Sequence, residues 1–209
     1  TVADVYPLPP IDQMLYNMGS SKVFTAMDLQ SAYHQIVVAE QDREKTAFIH
    51  RSGLYEYIRM PFGLRNAPAT FQRFMNMMLA SSDPGIRRCV MAYLDDVIVF
   101  SNSLEEHVEH LSTVLAMLSR HGLKVQLSKC TFAVTRTKYL GHILDGEGVH
   151  VDPSYVKGVT DMPLPTTIKE LQSFLGLTGY YRRFIPSYSE LAQPLYSLLR
   201  KDVKWEWTD

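Results

Sequence analysis

The feature that most constrains this chain is the dipeptide Asp95-Asp96, set between the apolar runs Cys89-Val90-Met91-Ala92-Tyr93-Leu94 and Val97-Ile98-Val99-Phe100. Both flanks are short and rich in β-branched and aromatic residues, which predicts two buried strands. Adjacent carboxylates between such strands repel each other and resist desolvation, and tight hairpins favour Asn-Gly or Asp-Gly at that place. The pair makes most sense beside a compensating positive charge, and a divalent metal ion is the natural candidate. An ordinary polar turn is the alternative, since aspartate is common in turns.

With 209 residues, 46% of them apolar and 21% charged, the chain can bury a sizeable core, as one large domain or two small ones. No apolar stretch approaches the roughly 20 residues that span a bilayer, and no signal-peptide pattern opens the chain, so a soluble intracellular protein with no membrane partner is expected. Cys89 and Cys130 are too few for a disulfide framework and lack metal-type spacing, so both are expected to be buried thiols. The chain opens on Thr1 and ends Trp205-Glu206-Trp207-Thr208-Asp209, and it reads as a piece of something longer.

Net charge is −1, which argues against nucleic acid as a partner until the distribution is considered. From His110 to Leu144 there is no Asp or Glu, while Arg120, Lys124, Lys129, Arg136 and Lys138 all fall there. Such a local excess can bind phosphates even on a neutral chain; a solvated basic face is the alternative.

Pro9-Pro10 before Ile11, Met14, Leu15 and Met18, with Gly19 after, predicts a short amphipathic helix. Strands are predicted over Lys22 to Leu29, Thr46 to His50 and Tyr55 to Met60, the last two linked as a hairpin by Arg51-Ser52-Gly53-Leu54. A helix is expected from about Asn66 to Ala80, and Ser103 with Glu106 forms a capping box for a helix running to Gly122. Val125 to Leu127, Lys138 to Leu144 and Val149 to Val151 read as strands, and the pattern turns helical from Pro153, broken at Pro163, Pro165 and Pro186. Mixed strands first and helices last give an α+β body with a helical appendage.

Asp28 ends the otherwise apolar strand Phe24-Thr25-Ala26-Met27-Asp28-Leu29. It could serve as the N-cap of the segment after it, or carry chemistry. If its strand neighbours the Asp95-Asp96 hairpin, three carboxylates converge at one sheet end. That donor set suits two magnesium ions, whose role in phosphoryl transfer is to stabilise the attacking and leaving oxygens.

At this point the chain resembles the reverse transcriptases of gypsy-type LTR retrotransposons. The residues that carry the resemblance are Phe24-Thr25-Ala26-Met27-Asp28-Leu29-Gln30-Ser31-Ala32-Tyr33-His34-Gln35, then Met60-Pro61-Phe62-Gly63-Leu64-Arg65-Asn66-Ala67-Pro68-Ala69-Thr70-Phe71-Gln72, then Tyr93-Leu94-Asp95-Asp96. Tyr139-Leu140-Gly141-His142 is similar to the family's primer-grip hairpin, and the segment Phe174 to Ile185 to one typical of gypsy-type elements. The order and spacing match over essentially the whole chain.

The resemblance implies a right-hand polymerase fold. Residues 1–35 would be the first part of a palm with an antiparallel sheet backed by helices, and 36–66 a partial fingers region. Residues 67–147 would be the second part of the palm, and 148–209 a helical thumb leading toward a ribonuclease H domain of a parent Pol polyprotein. The implied activity is RNA-directed DNA polymerisation on an RNA or DNA template from a DNA primer, with deoxynucleoside triphosphates as substrates. Asp28, Asp95 and Asp96 would hold two Mg2+ ions, with Mn2+ able to replace them and the Leu29 carbonyl as a further ligand. Tyr33 would exclude a 2′-hydroxyl, or else be a core tyrosine. Phe62, Gly63 and Leu64 would floor the nucleotide pocket, and Leu94 would touch the sugar or primer end. Many retroviral enzymes have glutamine at the place of Phe62, so that polar contact is lost here. Lys129 matches a proposed general acid for pyrophosphate, or is a surface lysine. Tyr93, Tyr139, Leu140, Gly141, Arg182 and Arg183 would meet primer and template. The resemblance also implies cytoplasmic particles or the nucleus as the location.

Family members carry a basic fingers segment that clamps the triphosphate, and nothing in residues 1–21 replaces it: Lys22 is the first cation. The fragment alone is therefore expected to be inactive. Two rival readings remain: a catalytically incompetent template-primer-binding remnant, and a palm-type nucleotide cyclase, against which Tyr93-Leu94 stands where glycines are usual. His107-Val108-Glu109-His110 matches no zinc motif and reads as a polar helix face.

Overall fold

The computed structural model describes residues 1–203 and Trp205, so the expected junction Trp205 to Asp209 lies, after its first residue, outside the described residues. Two compact units emerge, Thr1–Val149 and His150–Asp209.

In the first unit, α1 (Ile11–Met18) follows Pro9-Pro10 and buries Met14, Leu15 and Met18. β1 (Val23–Asp28) leads to a 3-10 turn over Ala32–Gln35, then the short α2 (Glu40–Arg43) and the hairpin β2 (Phe48–His50) and β3 (Gly53–Tyr55). α3 (Ala67–Ala80) carries Pro68 in its first turn, where a missing N–H costs nothing. β4 (Val90–Tyr93) and β5 (Asp96–Ser101) flank the acidic turn. α4 (Leu104–Arg120) opens on the expected capping box, with the Glu106 N–H donating to Ser103 Oγ (3.2 Å) and the Glu106 carboxylate accepting from the Asn102 N–H (3.3 Å). β6 (Thr131–Val134), β7 (Arg136–Tyr139) and β8 (His142–Asp145) follow, and β9 (Gly148–Val151) begins in this unit and ends in the next.

The central sheet has the order β4-β5-β1-β6, antiparallel throughout, which gives the α+β class the sequence predicts. Both of its faces are covered, so β5 reads as a continuous apolar run. Val97 and Val99 pack with Phe71, Met75 and Met78 of α3 and Val114, Met117 and Leu118 of α4. Ile98 and Phe100 point the other way, to α1, Tyr139 and Leu144.

Four details differ from the sequence reading. The hairpin turn is Arg51-Ser52, with Gly53 already paired to His50 at φ 142°, so the second strand ends at Tyr55 where the sequence had it begin. Val125 makes a single bridge to Leu29 and is followed by a 3-10 turn, Leu127–Lys129. The strand expected over Lys138 to Leu144 is folded in two at Leu140 and Gly141, both with positive φ (45° and 74°). β6 was not foreseen: it is four residues long, shifts register against β1, and holds Ala133 at φ 48°. Cys89 is buried as expected, its thiol donating to the Ile86 carbonyl at 3.2 Å, and desolvation pushes it up to about 11. Cys130 is only half-buried and donates to the Gln126 carbonyl at 3.2 Å.

The second unit is helical: α5 (Pro153–Thr160), α6 (Ile168–Tyr180) and α7 (Tyr188–Ser197). Asp152 caps α5 and Thr167 caps α6, and the core is built on Leu171, Leu175 and Ala192.

Candidate active site

Strand pairing alone brings the carboxylates together. β1 and β5 run antiparallel with Phe24 opposite Phe100, Ala26 opposite Ile98 and Asp28 opposite Asp96. Paired residues share a face, and alternation places both aspartates on the face that carries Phe24 and Phe100, at the end of the sheet. Asp95 lies in the two-residue loop Leu94-Asp95 that joins Tyr93 to Asp96. The third carboxylate is thus fixed to the other two by the hairpin itself. Its own carbonyl accepts from the Leu29 N–H (3.2 Å), tying the loop to the end of β1. Asp28 is not an N-cap: the 3-10 turn after it, Ala32–Gln35, has Ser31 at that place.

Like charges directly across an antiparallel pair destabilise it. The Asp96 carboxyl is accordingly held above the usual carboxylate range, first by desolvation, then by Asp95 and Asp28, with Lys129 opposing them. No set of single oxygens, one from each aspartate, falls within 4.8 Å of one another. Lys129 lies with Nζ 3.5 Å from Asp28 Oδ2, a mostly exposed ion pair. The donors are carboxylate oxygens in mutual repulsion, which is the chemistry that a hard divalent cation such as Mg2+ satisfies.

Beside the carboxylates stands an aromatic group. Tyr33 packs against Phe62 (5.2 Å between centroids, tilted) and edge-on to Phe71 (5.8 Å), and His34 meets Phe62 edge-on at 5.3 Å. Burial, and secondarily the Asp95 charge, raises the Tyr33 hydroxyl above its ordinary pKa. Phe71 is fully buried and anchors the group, whereas Phe62 is 64% exposed. Gly63 follows at φ 90°, a conformation that glycine takes without strain, and Leu64 is exposed.

Lys129 is placed by the chain before it. The Gln126 N–H donates to the Asp28 carbonyl (2.8 Å), and the Lys129 N–H to the Gln126 carbonyl (2.8 Å). Tyr139 is buried, its hydroxyl donating to the Asp96 carbonyl (3.4 Å), and desolvation by that burial raises it far above its ordinary value. It therefore acts as a pillar under β5 rather than as a surface. Leu140 and Gly141 form the adjoining turn, and Tyr93 lies half-buried at the end of β4. Arg182 and Arg183 belong to the second unit, exposed on the 3-10 turn Arg182–Phe184, with the Arg183 guanidinium 5.0 Å from the Phe184 ring centre.

Two residues that the sequence reading named only as members of the family motifs, with no role of their own, hold this site. Gln72, fully buried on α3, accepts from the Leu94 N–H (2.7 Å) and donates to the Ala92 carbonyl (3.1 Å), gripping both sides of the acidic turn. Gln35 donates to the Gln30 and Lys124 carbonyls (2.7 and 3.0 Å) and accepts from the Lys124 N–H (2.7 Å), binding the segment that leads to Lys129 onto the end of β1. Apart from that membership, a glutamine among apolar helix positions is the local signal at Gln72, and Gln35 gives none.

Residues 2–144 match the family model described as Reverse transcriptase (RNA-dependent DNA polymerase). The chain is 47% identical over 204 residues to the retrovirus-related Pol polyprotein from transposon 297 of Drosophila melanogaster, an alignment covering 98% of this chain and 19% of that protein. It is 42% identical over 200 residues to the Pol polyprotein from transposon gypsy of the same fly, covering 96% and 19%. It is also 40% identical over 205 residues to the Tf2-3 polyprotein of Schizosaccharomyces pombe, covering 98% and 15%. The chain thus spans less than a fifth of the length of these curated relatives. Among solved structures, a foamy viral protease-reverse transcriptase in complex with double-stranded DNA matches all of this chain and 36% of that one, with TM-score 0.88 and 26% identity. Another, in complex with an RNA/DNA hybrid, matches 99% of this chain and 28% of that one, with TM-score 0.82 and 26% identity. The sheet-and-helix body is that of a polymerase palm, and the chain belongs to the reverse transcriptase (RNA-dependent DNA polymerase) family, as a domain of the kind that gypsy-type LTR transposon Pol polyproteins carry.

Proposed function

We propose that this domain adds deoxynucleotides to a DNA primer on an RNA or DNA template, with Asp28, Asp95 and Asp96 as its metal-holding carboxylates. The observation that carries the reading is the cross-strand pairing of Asp28 with Asp96 beside Asp95, a costly arrangement that a folded chain has reason to keep only for a cation. The three would hold two Mg2+ ions, or Mn2+ in their place, with the Leu29 carbonyl as a further oxygen donor. When bound, the ions supply the positive charge that stabilises the attacking and leaving oxygens of an in-line phosphoryl displacement.

The other roles fall to the chain's own side chains. Tyr33, braced by Phe71, presents a ring that leaves no room for a 2′-hydroxyl, and Phe62, Gly63 and Leu64 floor the pocket by shape rather than by hydrogen bonding. Leu94 meets the primer end, and Lys129 delivers a proton to the departing pyrophosphate. Tyr93 and the Leu140-Gly141 turn seat the primer, with the buried Tyr139 holding that turn against β5, and Arg182 and Arg183 meet backbone phosphates. The activity is proposed for the domain joined to the flanking parts of a Pol polyprotein, a ribonuclease H among them.

The test is primer extension with Mg2+ by such a polyprotein, with Asp95 and Asp96 both changed to Asn. The proposal expects incorporation to fall by at least about 1,000-fold while template-primer binding persists. Equal extension by the variant would refute it. Template-primer binding without incorporation by the unaltered polyprotein would make the domain a binding remnant instead.

A further inference from the structure

The acidic turn is tied to the N-terminal segment by a line of side-chain hydrogen bonds. The Leu94 N–H donates to Gln72 Oε1 (2.7 Å). Gln72 Nε2 donates to Asn76 Oδ1 (2.9 Å), one turn along α3, and Asn76 Nδ2 donates to the Tyr6 hydroxyl (2.7 Å). Every donor points away from the turn, so each bond polarises the next, and such a chain is stronger than its members taken singly. Tyr6 is itself fastened. The Arg73 guanidinium lies 4.8 Å from its ring centre and makes two hydrogen bonds to the Asp4 carboxylate (2.9 and 2.7 Å). Asn66 accepts from the Asp4 N–H (3.1 Å) and donates to the Val2 carbonyl (2.9 Å).

What the line accomplishes follows from the backbone it reaches. Leu94 sits at φ 55°, a left-handed conformation that is strained for a non-glycine residue and persists only where its surroundings impose it. The bond from its N–H to Gln72 is one such constraint. A glutamine side chain has three torsions, however, and its oxygen holds one direction only if its amide hydrogens are engaged. The Ala92 carbonyl takes one hydrogen and Asn76 the other. Asn76 in turn is oriented by Tyr6 at the far side.

We infer that Tyr6 and Asn76 are positioning residues for the carboxylate site, acting through Gln72 on the Leu94-Asp95 turn. Its bearing on nucleotide transfer rests on the polymerase reading; the wiring itself does not. Hydrogen exchange of the Leu94 amide, followed by NMR on the 209-residue chain, reads it without any need for polymerisation. Tyr6→Phe removes one hydroxyl and keeps the ring under Arg73. It should speed Leu94 exchange about 5–10-fold, as should Asn76→Ala, and leave the β1 amides unmoved. With Gln72→Met already in place, Tyr6→Phe should add nothing. Asn66→Ala cuts the ties to Val2 and Asp4 but spares the line, and should change Leu94 exchange less than about 2-fold. Unchanged exchange in Tyr6→Phe, an equal response in Asn66→Ala, or a further acceleration on top of Gln72→Met would each overturn the inference. Because incorporation is not measured, these results are separable from the Asp95/Asp96 test of activity.

Discussion

At Asp96, desolvation and the charges of Asp95 and Asp28 add up to a carboxyl that protonates more readily in the folded chain than in the unfolded one. A group of this kind contributes stability below its unfolded pKa, near 3.9, and loses it as pH rises through the folded value, so the penalty grows as pH rises toward neutrality. Asp96→Asn should therefore raise the Tm of the metal-free protein at pH 7, by an amount kept small by solvent screening because Asp96 is exposed, and millimolar Mg2+ should raise the Tm of the parent protein but not of the variant; calorimetry with and without EDTA checks both. Gln72→Ala works in the other direction. It strands the Leu94 N–H and the Ala92 carbonyl and should cost about 2–4 kcal/mol in urea denaturation at unchanged m. At this scale legibility was uneven. Asp95 and Asp96 stood out because charge is conspicuous between apolar strands. Gln72 did not, because its partners lie twenty and twenty-two residues along the chain and no local pattern announces them.

Among the elements, α4 is docked to the sheet through an unusual contact for a helix. His107 is fully buried, hydrogen-bonded to Thr25 on β1 (2.7 Å) and Ser101 on β5 (2.9 Å), while His110 meets the same Ser101 hydroxyl (2.9 Å). Burial, with a smaller effect from His110, lowers the His107 pKa. The unfolded chain then binds more protons than the folded one just below the ordinary histidine value of about 6.5. The stability His107 allows is complete above that pH and is lost as pH falls toward the folded value. A lower urea midpoint at pH 5.5 than at pH 7.5 is expected, with a smaller difference in His107→Gln. The sequence reading took this stretch for a polar helix face, since a 3.6-residue period cannot tell a buried polar network from a wet surface. The apolar elements fared better: β1, β4, β5 and α3 were legible because burial on their faces sets their composition. β6 escaped because its place is fixed by tertiary contact, the Ala133 N–H donating to Thr25 Oγ1 (3.0 Å), and not by local alternation.

For the molecule as a whole, a net charge of −1 means that any grip on nucleic acid must come from where the charges lie. Arg120, Lys124, Lys129, Arg136 and Lys138 are all exposed, with Lys129 committed in part to Asp28. Under the proposed function, the affinity of a Pol polyprotein for template-primer should fall with salt. Changing Lys124 and Arg136 together to Glu should flatten the log–log slope by about 2, measured by fluorescence anisotropy across salt concentrations. The family resemblance made the acidic triad legible at this scale by joining Asp28 to a hairpin 67 residues away, which no local pattern could do.

The two thiols give the protein a built-in chemical reporter. Cys89 is desolvated and resists alkylation at neutral pH, whereas Cys130 is partly open and directly follows Lys129. A maleimide dye can thus be directed to the neighbourhood of the carboxylates on the unaltered chain, with no cysteine removed and none introduced.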